Sequence, residues 1–228
     1  MPAAAADVLV PLALSLKVAG WATLIAGLAG LAMAYLVARG RFPGRELLDA
    51  VMTLPMVMPP TVLGYYLLVL IGRRGLIGEW LDREFGITLV FTWQGAVIAA
   101  ALVAFPLVYK AALAALENVE HQYEQAARVL GHSEWSVFVR VTLPLAWRGI
   151  LAGAMLAFAR ALGEFGATLM VAGSLPGRTQ TLSIAVYEAV QAGNDQLANF
   201  LVIITSLVCV TILLASGRNS SEMLNKAA

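Results

Sequence analysis

Four stretches of this chain carry no charged side chain over a membrane-spanning length: Val18 to Ala38, Ala50 to Gly72, Phe85 to Tyr109, and Gln196 to Gly217. The hydrocarbon core of a bilayer takes about 20 residues of helix to cross. Backbone polar groups find no water there, so a lone apolar segment must satisfy them internally as a helix. A fifth stretch, Gly149 to Ala172, is apolar except for Arg160 and Glu164. Composition leads the same way. Apolar residues make up 60% of the chain and charged residues 13%, against about 45–50% and 25% in soluble domains. The chain therefore reads as an all-α polytopic membrane protein with about five transmembrane helices. The first stretch reads as a span and not as a cleaved signal, because it is too long for a signal h-region and Asp7 precedes it.

Lysine and arginine placement orients the set. With the N-terminus outside, the inner segments hold nine basic residues: Arg39, Arg41, Arg45, Lys110, Arg128, Arg140, Arg148, Arg218 and Lys226. The outer loops hold four: Arg73, Arg74, Arg83 and Arg178. The expected topology is N-out, C-in. A net charge of +1 excludes the basic surface of a nucleic-acid-binding protein. Cys209 is the single cysteine and lies in an apolar run, which marks it as a structural thiol.

Smaller segments add detail. Arg73 to Phe85 interleaves charge with Leu76, Ile77, Trp80 and Leu81, the pattern of a short interfacial helix. Gly173 to Asp195 holds a break, SLPGRTQ, then a helical pattern, LSIAVYEAVQ. It reads equally as an outer loop with a helix or as a re-entrant hairpin. Lys17 is expected to snorkel to the outer interface.

One polar island stands between the apolar runs, EQAARVLGHSEWSVFVRVTLP over residues 124–144. Asn118 to Leu130 is helical by composition, and Gly131 suits a left-handed helix stop. Ser133 can cap a second short helix through Leu143, and Pro144 suits the first turn of the next span. Ala126 and Ala127 let another surface approach closely. The expected shape is two short helices meeting at a bend on the cytoplasmic side.

Here the sequence resembles the membrane subunits of binding-protein-dependent ABC importers. Their cytoplasmic signature is Glu-Ala-Ala, three residues, Gly, nine residues, Ile, one residue, Leu-Pro. The island supplies Gln125, Ala126, Ala127, Gly131, Val141, Leu143 and Pro144 at that spacing. Gln125 stands where Glu is expected, with Glu124 one residue upstream, and Val141 replaces Ile. RGRFPGRELLDAVMTLPMVMPPTVLGYYLL, IGRRGLIGEWLDREFGI and AFARALGEFGATLMVAG resemble molybdate-type permease subunits. The ARALGEFGA stretch is shared with sulfate and tungstate permeases. The resemblance implies a type I ABC importer permease fold and one transmembrane permease domain over 1–228. Its spans run at about 10–38, 50–72, 85–112, 146–172 and 196–216, with a cytoplasmic coupling loop at 113–145. It implies a homodimer in the bacterial inner membrane, two cytoplasmic ATP-binding subunits and an external, periplasmic oxyanion-binding protein. The implied cargo is molybdate, with tungstate beside it and sulfate or thiosulfate as the alternative. No cofactor and no metal site are implied.

The chain itself offers no P-loop. Its lysines, Lys17, Lys110 and Lys226, do not follow a glycine, so G-x-x-x-x-G-K-[ST] is absent. His121 and His132 lack metalloprotease spacing. Trp135 breaks a G-x-S-x-G match at Gly131. Transport without covalent chemistry is the expectation. A secondary transporter or channel driven by ion gradients is the reading from another class, and a structural membrane scaffold is the third. The candidate substrate path or gate is Pro59, Pro60, Thr61, Arg160, Glu164 and Thr168. Prolines 59 and 60 lie about 15 Å along the helix from Asp49, at 1.5 Å per residue. A half-helix after them presents a partly positive N-terminus to a passing anion; a simple packing kink is the alternative. Arg160 and Glu164, four apart on one expected helix, either line the anion route or neutralise each other at a helix contact.

Overall fold

The computed structural model describes residues 2–40 and 42–225, and the side chains of 8–40 and 42–211. Every regular element among them is helical. In chain order these are α1 (Pro2–Arg39), α2 (Arg45–Val57), α3 (Pro60–Ile71), α4 (Leu76–Phe85), α5 (Trp93–Glu117), α6 (His121–Val129), α7 (Glu134–Val137), α8 (Leu143–Leu162), α9 (Gly166–Ala172), α10 (Leu182–Gln191) and α11 (Asp195–Asn225). Arg41 and Lys226, two of the basic residues used for orientation, lie outside the described residues.

Helix α5 is the centre. Its buried row Ala96, Ala100, Ala104 and Val108 packs with Ala19, Ala22 and Ala26 of α1 and with Ala157 and Ala161 of α8. Small side chains let backbones come close, which is how helices associate in a solvent as apolar as themselves. Gly149 and Gly153 of α8 lie on Ala115 and Ala111 of α5. Both pairs are four apart, so one small-residue stripe fits the other. Large apolar side chains face outward instead, among them Leu24, Leu28 and Leu36 of α1, as a lipid-facing surface requires.

Among the described residues three helical segments are long and apolar enough to cross a membrane: Val8–Arg39, Trp93–Glu117 and Glu134–Leu162. The α2–α3 pair passes the same test as one unit but bends by 111° at Met58–Pro59. The expected break is present, and it is a sharp elbow. Pro60 lacks the donor that would continue α2, and Pro59 enters the next helix at ψ 136°. The apolar part of α11 spans Asp195–Thr211; the side chains beyond it lie outside the described set.

Three boundaries differ from the apolar runs. Helix α5 starts at Trp93 and not near Phe85, because Gly86 stops α4 in a left-handed conformation and the Thr92 hydroxyl accepts from Gly95 N at 3.2 Å. The fifth stretch divides at Gly163–Phe165 into α8 and α9. Finally, α7 is not a separate helix ending at Leu143. It continues into α8 through one π turn, Phe138–Thr142, in which Leu143 N donates to Phe138 O. Pro144 has no N–H for Arg140 and its ring crowds that carbonyl; the wider turn absorbs both defects.

The segment after α9 makes a turn at 174–180 and then α10, which packs on α11 and on α1. The Ser15 hydroxyl accepts from Leu182 N at 2.8 Å, fixing its start. Lys17 does not simply reach outward. Its ammonium lies 3.6 Å from the centre of the Trp93 ring, a cation–π contact that ties α1 to the start of α5.

Candidate functional site

The island folds from local chemistry. Helix α6 stops in a Schellman motif: His132 N donates to Ala127 O at 3.2 Å and Gly131 N to Arg128 O at 2.9 Å. Gly131 has φ +82°, the conformation that glycine adopts without a β-carbon penalty. Two residues later the Ser133 hydroxyl accepts from Ser136 N at 3.3 Å and opens α7. A bend results, with the expected caps at both sides.

One face of α6 is buried, and it carries Glu124 and Ala127. Glu124 is 1% exposed. Its Oε1 is ion-paired to Arg39 at the last residue of α1 and accepts from the Thr142 hydroxyl at 2.7 Å. Its Oε2 has no hydrogen-bond partner among the described residues. Arg128 Nη2 and His121 Nδ1 stand 3.6 and 3.8 Å from it. Arg128 is held instead by Glu134, through Nε at 2.6 Å and Nη2 at 3.0 Å. That hydrogen-bonded guanidinium holds the Glu134 carboxyl below its usual range, and the carboxylate in turn raises Arg128.

The outer face of the bend is apolar. Val129 is 87% exposed, Leu130 78% and Trp135 73%. Gln125 and Ala126 are exposed, Val141 and Leu143 half-buried and Pro144 exposed. A bare apolar patch on a polar segment is the mark of a protein contact.

Further charged pairs gather where α1, α2, α5 and α6 meet. Arg45 pairs with Glu117, and Asp49 accepts from the Tyr109 hydroxyl at 2.8 Å and from Lys110 at 2.7 Å. These polar pairs hold α2 together with Leu48 and Met52, which pack half-buried on the core between α1 and α5; no residue of α2 is fully buried.

The second candidate region is the crossing of α3 and α9. A β-carbon on Gly166 would lie 3.0 Å from Pro60 Cβ and 3.6 Å from Thr61 N. A cavity of about 320 Å³ opens at the α2–α3 elbow, against α5 and the end of α8, lined by Pro55, Met56, Met58, Pro60, Val103, Leu107 and Arg160. Arg160 Nη1 meets Glu164 Oε2 at 2.7 Å. The two do not share a helix, because Gly163 ends α8 and Glu164 sits in the break. From there Glu164 Oε1 accepts from Ala167 N at 2.9 Å and secures the start of α9. Thr168 is buried, and its hydroxyl has no hydrogen-bond partner among the described residues.

Residues 26–221 match the model of the binding-protein-dependent transport system inner membrane component family. The chain belongs to this family. Among curated relatives, the molybdenum transport system permease protein ModB of Escherichia coli K12 is 48% identical over 204 residues, 89% of each chain. The putative molybdenum permease YvgM of Bacillus subtilis is 42% identical over 194 residues, 85% of this chain and 86% of that one. The sulfate permease CysT of E. coli K12 is more distant, 39% identical over 170 residues, 75% of this chain and 61% of that one. Among solved structures, a chain of a bacterial alginate ABC transporter aligns with TM-score 0.73 at 16% identity, covering 95% of this chain and 79% of that one. A chain of the inward-facing MetNI methionine transporter aligns with TM-score 0.66 at 18% identity, covering 93% and 92%. At such identities the likeness is one of fold: the chain has the all-helical fold of an ABC importer permease.

Within this inner-membrane permease the sequence candidates fall into two groups. Glu124, Gln125, Ala126, Ala127 and Gly131 lie on or beside α6, with Val141, Leu143 and Pro144 at the entry to α8. Pro59, Pro60, Thr61, Arg160, Glu164 and Thr168 lie on the two broken helices. Sequence reasoning missed Arg39 and Thr142 as partners of Glu124. The available signal was the spacing of Glu124 and Ala127, three apart and so on one face of α6.

Proposed function

We propose that this chain is the permease subunit of an ATP-driven ABC importer that carries molybdate across the inner membrane. The observation that carries the cargo assignment is the 48% identity to the E. coli molybdenum permease along 89% of both chains. The more distant likeness to sulfate permeases makes sulfate the competing cargo. In this reading residues 1–228 form one membrane domain that pairs with a second copy. Two ATP-binding subunits dock on the bend at Val129, Leu130 and Trp135, and an external oxyanion-binding protein delivers cargo. The gathering of Arg39, Arg45, Lys110 and Arg128 at the island end supports a cytoplasmic island and an outer N-terminus.

ATP-driven closure of the partners moves the island, and the movement passes into α8 through the π turn. The spans then alternate between outward- and inward-open forms around the α3–α9 crossing. Arg160 lines the cavity at the α2–α3 elbow, beside Pro60 in the first turn of α3. Glu164 offsets its charge, so a dianion is met by a moderated field and released readily. Thr61 and Thr168 supply hydroxyls on the two half-helices. The test is complementation. Cells without their own molybdate permease regain molybdate accumulation when this chain is expressed with its ATP-binding subunit and binding protein. Recovery of sulfate accumulation alone overturns the cargo assignment.

A further inference from the structure

Glu124 lies one residue before the position at which the importer signature expects its carboxylate, and it does not face outward. The 1% exposed side chain points into the protein. One carboxylate oxygen holds two elements distant in sequence: Arg39, which ends α1, and Thr142, in the π turn that leads into α8. The residue at the expected position, Gln125, is exposed and uncharged. A single buried group therefore joins the island helix, the end of the first span and the start of the fourth helical span segment.

We infer that Glu124 is a positioning residue for energy coupling, a clamp that makes α6, the end of α1 and the entry to α8 move as one body. This rests on the proposed transport function, but its geometry does not. Without the clamp, α6 keeps its Schellman bend and the apolar patch at Val129, Leu130 and Trp135, since both depend on backbone bonds elsewhere. The α6–α1 link would lose its charged bond. Removing one partner of a buried, hydrogen-bonded charge pair is costly because the other charge is left behind. Arg39 is partly exposed at the helix end, 22% for its side chain, so it can turn to water and the fold tolerates Glu124→Gln.

Two measurements test the clamp in the assembled importer. In one, Glu124→Gln lowers the ratio of oxyanion imported to ATP hydrolysed by about tenfold, within the range of ordinary coupling between sites. Arg83→Gln on α4, which breaks the exposed pair with Glu79, leaves the ratio unchanged. In the other, spin labels at the exposed Leu36 and Gln122 report the α1–α6 distance through the nucleotide cycle, with Cys209 replaced by Ser. That distance stays constant in the parent chain and broadens or shifts in Glu124→Gln. If Glu124→Gln does not assemble, Thr142→Val removes only the second bond and gives a smaller loss in the same direction. An unchanged ratio and an unchanged distance in these variants overturn the clamp. A parent importer that moves no oxyanion defeats the transport reading alone, because the distance measurement still decides the clamp.

Discussion

Gly131 offers a clean separation of backbone strain from crowding. It holds φ +82°, yet a β-carbon there would meet no atom within 4 Å. The cost of Gly131→Ala is therefore conformational, about 1–2 kcal/mol for an L-residue in the left-handed region. Such a loss speeds local opening of the bend by roughly 5–30-fold. The reporter is the His132 amide, whose bond to Ala127 O at 3.2 Å closes the motif. Hydrogen exchange at that amide should accelerate by this factor in Gly131→Ala. Gly131→Asn should cost markedly less, because Asn tolerates this conformation. Gly131→Val should cost at least as much as Ala, since a β-branched residue is an outlier there. Gly153→Ala gives the opposite case, with ordinary backbone and a β-carbon driven into Ala111; Asn brings no relief there. Equal exchange rates in the Ala and Asn variants of Gly131 would refute the argument, as would no acceleration in either.

Other outcomes follow from the same geometry. Gly64→Val places a β-carbon 2.7 Å from Met170 Cβ and 3.1 Å from Ala167 Cα; it should destabilise the α3–α9 crossing by about 1–3 kcal/mol, read as a lower thermal midpoint. Arg160→Gln strands the buried Glu164 and should cost about 3–5 kcal/mol, whereas Arg160→Gln with Glu164→Gln should regain most of the stability. Oxyanion transport that stays low in that stable double variant supports a path role, and full transport assigns the pair to packing. The Glu134 carboxyl is held below its usual value of 4.5 by Arg128. Its pairing thus stabilises the bend above that pH and is lost as pH falls through the depressed value. The difference in bend stability between the parent and Glu134→Gln, read from His132 exchange, should shrink over that acid range and stay constant near neutrality.

What was legible in the sequence was local. Gly131 and Ser133 announce the bend because a left-handed stop and a side-chain cap depend on neighbours within five residues. Pro59 and Pro60 announce the break in the second stretch for the same reason. The 111° angle was not legible, since it depends on how α3 settles on α9. Hydropathy also misplaced the start of α5, because 87–92 is as apolar as a helix but is held as a loop by the Thr92 cap. Arg160 and Glu164 carry helical spacing, yet Gly163 ends the helix between them. Their contact survives because Glu164 folds back from the break. The partner of Glu124 was the least legible feature: the spacing of Glu124 and Ala127 puts the two on one face of α6, but Arg39 is 85 positions away, and no pattern within the island names it.

Molybdate transport by this permease is driven, in the proposed function, by ATP hydrolysed in partner subunits. Its most direct measurement is molybdenum uptake into proteoliposomes holding the chain, its ATP-binding subunit and an oxyanion-binding protein, with sulfate as competitor. Uptake should require ATP on the side of the ATP-binding subunits, opposite the binding protein, persist without an ion gradient and be displaced only weakly by sulfate. Uptake that follows an ion gradient without ATP, or sulfate carried in place of molybdate, would contradict it.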